Sequence, residues 1–221
     1  RGSPETGRSA GDPPPSEAYL QGLNYLLNEE RDKALEVLTR MEEMGSDTAE
    51  THLALGSVFR RRGEVDRAIR IHQDLIDRPS LTRDQRTYAL LALGEDYMKA
   101  GVLDRAEALF QEVVAQDAHV DQALRHLLTI YEHEGEWGQA IETARRLEGL
   151  GEGGYWVRIG QLRCEQARQA WAGGDADQAR KTLRRALSAD PGCARANMLL
   201  GDLEREQGRH KAAVKAYEAI G

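Results

Sequence analysis

One pattern recurs along the chain at intervals of 34 to 39 residues, and it constrains the fold more than any other feature. An alanine marks each copy, and the steps between successive markers are 34, 38, 34, 39 and 34 residues. Twelve residues before the marker stands a position that is small in five of the six copies. The markers are Ala34, Ala68, Ala106, Ala140, Ala179 and Ala213. This recurrence predicts a stack of similar units rather than one central core.

The clearest copy, residues 48–73, predicts two helices joined by a tight turn. Gly56 and Phe59 share a helical stripe, Gly63 ends the first helix with a positive φ, and Ala68 and His72 lie on a second stripe. The order of small residue, aromatic residue, glycine and alanine matches the tetratricopeptide pattern. The predicted fold is therefore all-α, a right-handed superhelical array of about six tetratricopeptide helix-turn-helix repeats.

The predicted domain organisation is a short leader followed by the array. Residues 1–15 are rich in Gly, Pro and Ser, which predicts a disordered linker or a remnant of cloning. Residues 16–221 form the array, and the last repeat is expected to be truncated because no polar capping helix follows it. The predicted repeats cover approximately residues 16–46, 47–81, 82–117, 118–153, 154–190 and 191–221.

Helix starts are indicated by local capping patterns. Asp47 with Glu50, and Thr82 with Gln85, have the spacing of a capping box. The dipeptide Asp190-Pro191 predicts a capping residue followed by a proline in the first helical turn.

Composition excludes several classes of function. The net charge is −7, and no basic patch beyond residues 60–62 opposes it, so nucleic acid is not an expected partner. Only Cys164 and Cys193 are present and they form no CxxC pair, which argues against a disulfide framework and a zinc ribbon. We expect both to be buried or half-buried thiols of helices. No apolar run of about 18 residues is present, so the chain as given is expected to be soluble.

Motifs that could support catalysis or metal binding are weak. Residues 149–154 fit the GxGxxG expression, but they follow a predicted helix rather than a strand, which indicates a loop. His119, His126 and His133 are spaced by seven residues without a carboxylate or cysteine that would complete a metal site. We therefore predict no catalytic, cofactor-binding or metal-binding residue in this chain, and no enzyme.

The predicted concave face remains as the candidate site, because the first helix of each tetratricopeptide repeat faces inward. Its residues mix apolar, aromatic and arginine side chains, which protein-binding surfaces favour. Helix packing does not require Arg60 or Arg61, so these two are the leading candidates; the alternative is that they only increase solubility. The lysine and asparagine set of the chaperone-tail carboxylate clamp is absent. The predicted partner-binding residues are Tyr19, Leu23, Leu26, Leu27, Glu50, Leu53, Ser57, Arg60, Arg61, Tyr88, Leu91, Glu95 and Met98. Arg125, Glu132, His133, Arg168 and Trp171 continue this face in repeats four and five.

Several stretches resemble one family specifically. The segments "NYLLNEERDKALEVL" and "DTAETHLALGSVFRRRGEVDRAIRIHQDLI" are similar to lipopolysaccharide assembly protein B of Gram-negative bacteria. The segments "LALGEDYMKAGVLDRAEALF" and "IYEHEGEWGQAIETARRL" continue the match in register, from about Tyr19 to Gly221.

The resemblance implies an adaptor on the cytoplasmic face of the inner membrane. Family members carry an N-terminal transmembrane helix, a cytoplasmic array and a C-terminal rubredoxin-like domain with paired CxxC motifs that bind iron or zinc. They present the deacetylase of the lipid A pathway to a membrane-bound AAA+ protease and so restrain lipopolysaccharide synthesis. This chain has neither the transmembrane helix nor the metal-binding cysteines, so we interpret it as a soluble fragment of the array without a cofactor.

The leading hypothesis is therefore a non-catalytic adaptor that binds the deacetylase and the protease. One alternative is an array cut from a larger enzyme such as a glycosyltransferase. Another is a general scaffold for envelope assembly proteins. Homo-oligomerisation is compatible with all three.

Overall fold

The structure is a computed structural model, and it describes residues 22, 25, 31–43, 48–117, 119–151 and 153–220. Eleven helices and no strand occur among these residues, so the all-α prediction is confirmed for the part described. The helices are α1 Arg31–Glu43, α2 Ala49–Arg62, α3 Val65–Ile76, α4 Arg83–Ala100, α5 Leu103–Ala115, α6 Val120–Glu134, α7 Trp137–Gly149, α8 Tyr155–Ala172, α9 Ala176–Ala189, α10 Ala194–Glu206 and α11 His210–Glu218.

The chain forms two compact units, one ending at Val102 and the other beginning at Leu103. In the first unit α2 packs against α1, α3 and α4, and α3 packs against α4. In the second unit each helix from α5 to α11 packs against the next, and α8 also contacts α10. The first helices α2 and α8 thus each touch both their own second helix and the first helix that follows. Within the described part of the chain, no helix has the length and apolar character needed to cross a membrane.

Glycines end the first helices as the sequence predicts. Gly63, Gly101 and Gly135 end α2, α4 and α6 with φ values of 86°, 75° and 74°. At the first of these turns the Gly63 N–H donates to the Arg60 carbonyl, and the next N–H donates to the Phe59 carbonyl. The last carbonyls of α2 therefore have backbone donors although the helix has ended.

The predicted helix starts have mixed outcomes. Thr82 and Gln85 form a complete capping box at α4, so that prediction is confirmed. At α2 the capping side chain is Thr48, which accepts from the Thr51 N–H; Asp47 lies outside the described residues. The prediction at Asp190-Pro191 is wrong, because α10 begins later, after Cys193. The Asp190 carboxylate instead accepts from the Gly192 N–H at 3.2 Å, which stabilises a turn.

The marker alanines are buried wherever their side chains are described. Ala68, Ala106, Ala140 and Ala179 are fully buried, and Ala213 is nearly so. The side chain of Ala34 lies outside the described residues. Because a larger side chain at these positions would overpack the contact between helices, alanine is the residue that the packing requires.

A second packing rule links positions sixteen residues apart in one helix pair. A Cβ atom added at Gly56 would lie 2.3 Å from Nε2 of His72, and one at Gly201 would lie 2.3 Å from the ring of Tyr217. In repeat four the corresponding residues are Leu128 and Ala144, and both are buried. A large side chain on one helix is therefore matched by a small one on the other, which explains why repeat four tolerates a leucine where repeats two and six have glycine.

Candidate functional site

The residues predicted to bind partners in the first unit differ in their accessibility. Tyr88 is 45% exposed, and Arg61 and Glu50 are also exposed. Leu53, Ser57, Arg60, Glu95 and Met98 are half-buried. Leu91 is only 2% exposed, so its placement on the binding surface is corrected: it belongs to the core. Tyr19, Leu23, Leu26 and Leu27 lie outside the described residues.

The side chain of Arg60 is bound inside the first unit. Its guanidinium donates to the carboxylate of Asp96 at 2.7 Å, to Glu95 at 2.5 Å and to the Ala92 carbonyl at 3.2 Å. Only 17% of the side chain is exposed. The interpretation that packing does not require Arg60 is therefore wrong, because this residue links α2 to α4. The assignment of Arg61 as a partner contact stays a prediction.

His72 and Asp96 complete a buried charged network that the sequence analysis did not identify. Both side chains are 0% exposed, and Nδ1 of His72 lies 2.5 Å from the second carboxylate oxygen of Asp96. The carboxylate of Asp96, on α4, thus binds an arginine from α2 and a histidine from α3. The signal in the sequence was the position of His72 on an apolar stripe, since a buried imidazole needs a polar partner.

A groove with residues from three helices lies in the second unit. Its volume is about 620 Å³, and it lies between the C-terminal part of α8, the first residue of α7 and one side of α10. We call it the indole groove. Its principal lining residues are Trp137, Glu165, Arg168, Trp171, Leu199 and Glu206. Of these residues, Arg168 and Trp171 were predicted for the concave face from the sequence; the others were not, because residues of three helices converge here.

A smaller cavity of about 290 Å³ adjoins the indole groove through Trp137 and Glu165, which line both. Ion pairs between successive first helices border it. Arg158 of α8 donates to both carboxylate oxygens of Glu132 on α6, at 2.7 and 2.5 Å. Arg195 of α10 donates to Glu165 of α8. Both units therefore use an arginine and a carboxylate to join one first helix to the next.

The evenly spaced histidines and the described part of the glycine-rich segment lie in helices or in the turns beside them. His126 stacks on Phe110 with ring centroids 4.6 Å apart, and His119 precedes α6 with a φ of 52°. Gly149 is the last residue of α7, and residues 150, 151, 153 and 154 lie between α7 and α8, as the loop interpretation predicts. Among the described residues, no group of three or more His, Cys, Asp or Glu side chains could hold a metal ion.

Both cysteines are free and buried, as predicted for Cys164 and Cys193. Burial raises the pKa of the Cys164 thiol from 9.0 to about 12, and the neighbouring Cys193 acts in the same direction. The neutral thiol is therefore the form that the folded chain favours.

We expect neither cysteine to react with Ellman's reagent at about pH 8 in the folded chain, and both to react in guanidinium chloride. Because the Cys164 pKa is raised on folding from 9.0 to about 12, its contribution to stability is intact below about pH 9 and is lost as the pH rises toward 12. Rapid labelling of one thiol per folded chain would contradict this assignment.

Comparisons with known proteins agree with this architecture. A family model described as the tetratricopeptide repeat matches residues 91–155 and 164–220, more than half of the chain, and a second with the same description matches residues 51–86. A solved structure of Pseudomonas aeruginosa PilF has a TM-score of 0.55, covers 90% of this chain and 86% of its own, and is 17% identical. At that identity the likeness concerns the fold alone.

Two curated relatives match nearly the whole chain. Lipopolysaccharide assembly protein B of Escherichia coli strain K12 is 40% identical over 205 residues, which cover 93% of this chain and 53% of that protein. The protein of the same name from Haemophilus influenzae is 37% identical, with 93% of this chain and 54% of its own length covered. The resemblance inferred from the sequence is confirmed. The chain spans about half the length of the curated relatives it matches.

Proposed function

The chain belongs to the tetratricopeptide-repeat family, and on that premise we propose that it is a non-catalytic adaptor that binds proteins to regulate lipopolysaccharide synthesis. The observation that carries the proposal is the 40% identity to lipopolysaccharide assembly protein B over 93% of the chain. Identity at this level over nearly the whole chain supports a shared binding role. The array itself supplies the surface, because stacked helix pairs present long grooves.

The geometry favours binding over catalysis. The indole groove combines two tryptophans, a leucine and charged groups, which is the composition of a protein-binding hot spot. The buried titratable network of Arg60, His72 and Asp96 bonds to itself rather than to a cavity where a substrate could reach it.

We propose further that the partners are the lipid A pathway deacetylase and a membrane-bound AAA+ protease, at the cytoplasmic face of the inner membrane. In this view the protein promotes proteolysis of the deacetylase. A longer protein that contains this array would carry the membrane helix and a rubredoxin-like domain for iron or zinc. The family resemblance supports each of these statements.

The test is capture of the purified deacetylase by the immobilised chain. We expect the wild-type chain to retain the deacetylase and Arg61→Glu to retain less, because Arg61 is exposed on a first helix. Arg184→Glu is the matched control, since Arg184 is exposed on the second helix α9 and the charge change is the same. Arg60 is unsuitable for this test because its substitution would also break the network of the first unit.

Failure of the wild-type chain to retain the deacetylase would refute the proposed partner. Equal retention by the Arg61→Glu and wild-type chains would exclude the surface of the first unit as its binding site. Circular dichroism of each variant would show that the helices are intact.

A further inference from the structure

The indole groove is lined by the carboxylates of Glu165 and Glu206 and by the guanidinium of Arg168. Glu165 is compensated twice, by Arg168 at 3.2 Å within α8 and by Arg195 from α10. Glu206, at the C-terminal end of α10, lines the same groove and takes part in none of the ion pairs formed by the described residues. The C-terminal end of a helix also carries a partial negative charge. A ligand that enters this groove therefore meets one uncompensated carboxylate.

The apolar walls of the groove are held in place by the core beneath them. Trp171 and Leu199 are partly buried and pack against the cluster that contains Cys164, Leu183 and Leu203. Because these walls are supported from below, they lose little conformational entropy when a ligand is bound. The faces of tryptophan rings attract cations more strongly than those of other aromatic side chains.

We propose that the indole groove binds a lysine or arginine side chain of a partner protein, with apolar residues of the same segment against Trp171 and Leu199. This inference rests on the proposed adaptor function and specifies the chemistry of the partner. Glu206 supplies the opposite charge and Trp137 and Trp171 supply the aromatic surface. The groove volume of about 620 Å³ is sufficient for one long side chain and its two apolar neighbours.

An acidic segment fits this groove poorly. Arg168 is already bound to Glu165, so an incoming carboxylate would have to displace that bond. The same carboxylate would lie near Glu206, and like charges in a partly desolvated groove repel. The charge of the groove therefore favours a segment that carries lysine or arginine over an acidic one.

The first experiment uses the side-chain N–H signals of tryptophan in a ¹H–¹⁵N spectrum. The chain has three tryptophans, of which Trp137 and Trp171 line the groove while Trp156 is 48% exposed outside it. The probe is the capped peptide Ala-Leu-Lys-Leu-Ala, with norleucine or glutamate in place of lysine as comparison peptides. We expect the lysine peptide to shift the signals of Trp137 and Trp171 saturably and to leave Trp156 unchanged.

The second experiment changes the groove. Glu206→Gln is expected to weaken binding of the lysine peptide by about three- to fivefold, as for an ion pair at a partly exposed site. Glu218→Gln, an equal charge change on the exposed surface of α11, is expected to leave the Kd unchanged. Added salt is expected to reduce the difference between the wild-type chain and Glu206→Gln.

Equal binding of the lysine, norleucine and glutamate peptides would overturn the proposal, as would an unchanged Kd in Glu206→Gln. If the wild-type chain does not capture the deacetylase but the peptide results are as expected, the proposed partner is overturned and the proposal that the groove binds a cationic side chain stands. The reverse pattern, capture of the deacetylase without selective binding of the lysine peptide, would overturn the groove alone.

Discussion

Replacing Asp96 with asparagine is expected to lower the free energy of unfolding by about 3 kcal/mol, near the lower end of the cost of breaking a buried ion pair. The substitution keeps the size of the side chain but removes the charge that both Arg60 and His72 face. Arg60 retains Glu95 and the Ala92 carbonyl, which limits the loss. His72 is fully buried, and among the described residues it has no second carboxylate. Urea denaturation followed by circular dichroism would measure the change.

Asp121→Asn is the matched control for this substitution. Asp121 pairs with Arg125 four residues later in α6, and both side chains are about half exposed. Such a pair contributes little, so the control is expected to change the free energy of unfolding by less than ~0.5 kcal/mol. Equal effects of the two substitutions would show that the network of Arg60, His72 and Asp96 does not stabilise the first unit.

The repeat architecture could be predicted because its causes are local in sequence. Each turn needs a residue with positive φ, and glycine supplies it at Gly63, Gly101 and Gly135. Each helix contact needs a small side chain, and the marker alanines supply it at intervals of 34 to 39 residues. The capping box at Thr82 and Gln85 is likewise contained within four residues. Features of this kind repeat, and repetition makes them visible in a single sequence.

The binding surfaces could be predicted only in outline, because they depend on residues far apart in sequence. Arg60 was expected to point toward a partner, but Glu95 and Asp96, 35 and 36 residues later, hold its guanidinium. The indole groove likewise combines Trp137 with Glu206, which lie in repeats four and six. Helical periodicity assigns each of these residues to a face. It does not show which charges on neighbouring faces neutralise each other.

Replacing Gly56 with alanine is expected to destabilise the chain by about 1–3 kcal/mol, although alanine is the better helix former. The added Cβ would lie 2.3 Å from Nε2 of His72. That ring cannot move aside cheaply, because it is fully buried and Asp96 holds its other nitrogen at 2.5 Å. The overlap must therefore be relieved by a shift of α2 against α3, which disturbs the close packing of the pair.

Gly160→Ala is the control that separates packing from helix propensity. Gly160 lies inside α8, and an added Cβ would have no heavy atom within 4 Å outside its own helix. This substitution is expected to stabilise the chain by up to ~1 kcal/mol. If both alanine variants raise the urea midpoint, the compensation between positions sixteen residues apart is refuted.

The effects of Asp96→Asn and Gly56→Ala on the free energy of unfolding should not be additive, because both substitutions act on the imidazole ring of His72. In the Asp96→Asn background His72 loses its charged anchor, so its ring can turn away from a new Cβ at residue 56. Gly56→Ala is then expected to cost less than in the wild-type chain, with an interaction energy of at least ~0.5 kcal/mol. In Gly201→Ala the added Cβ contacts the half-buried Tyr217 instead of His72. This substitution should lower the free energy of unfolding equally in the wild-type and Asp96→Asn chains. Additive effects of Gly56→Ala and Asp96→Asn would mean that the position of His72 is set by the surrounding helices and not by Asp96.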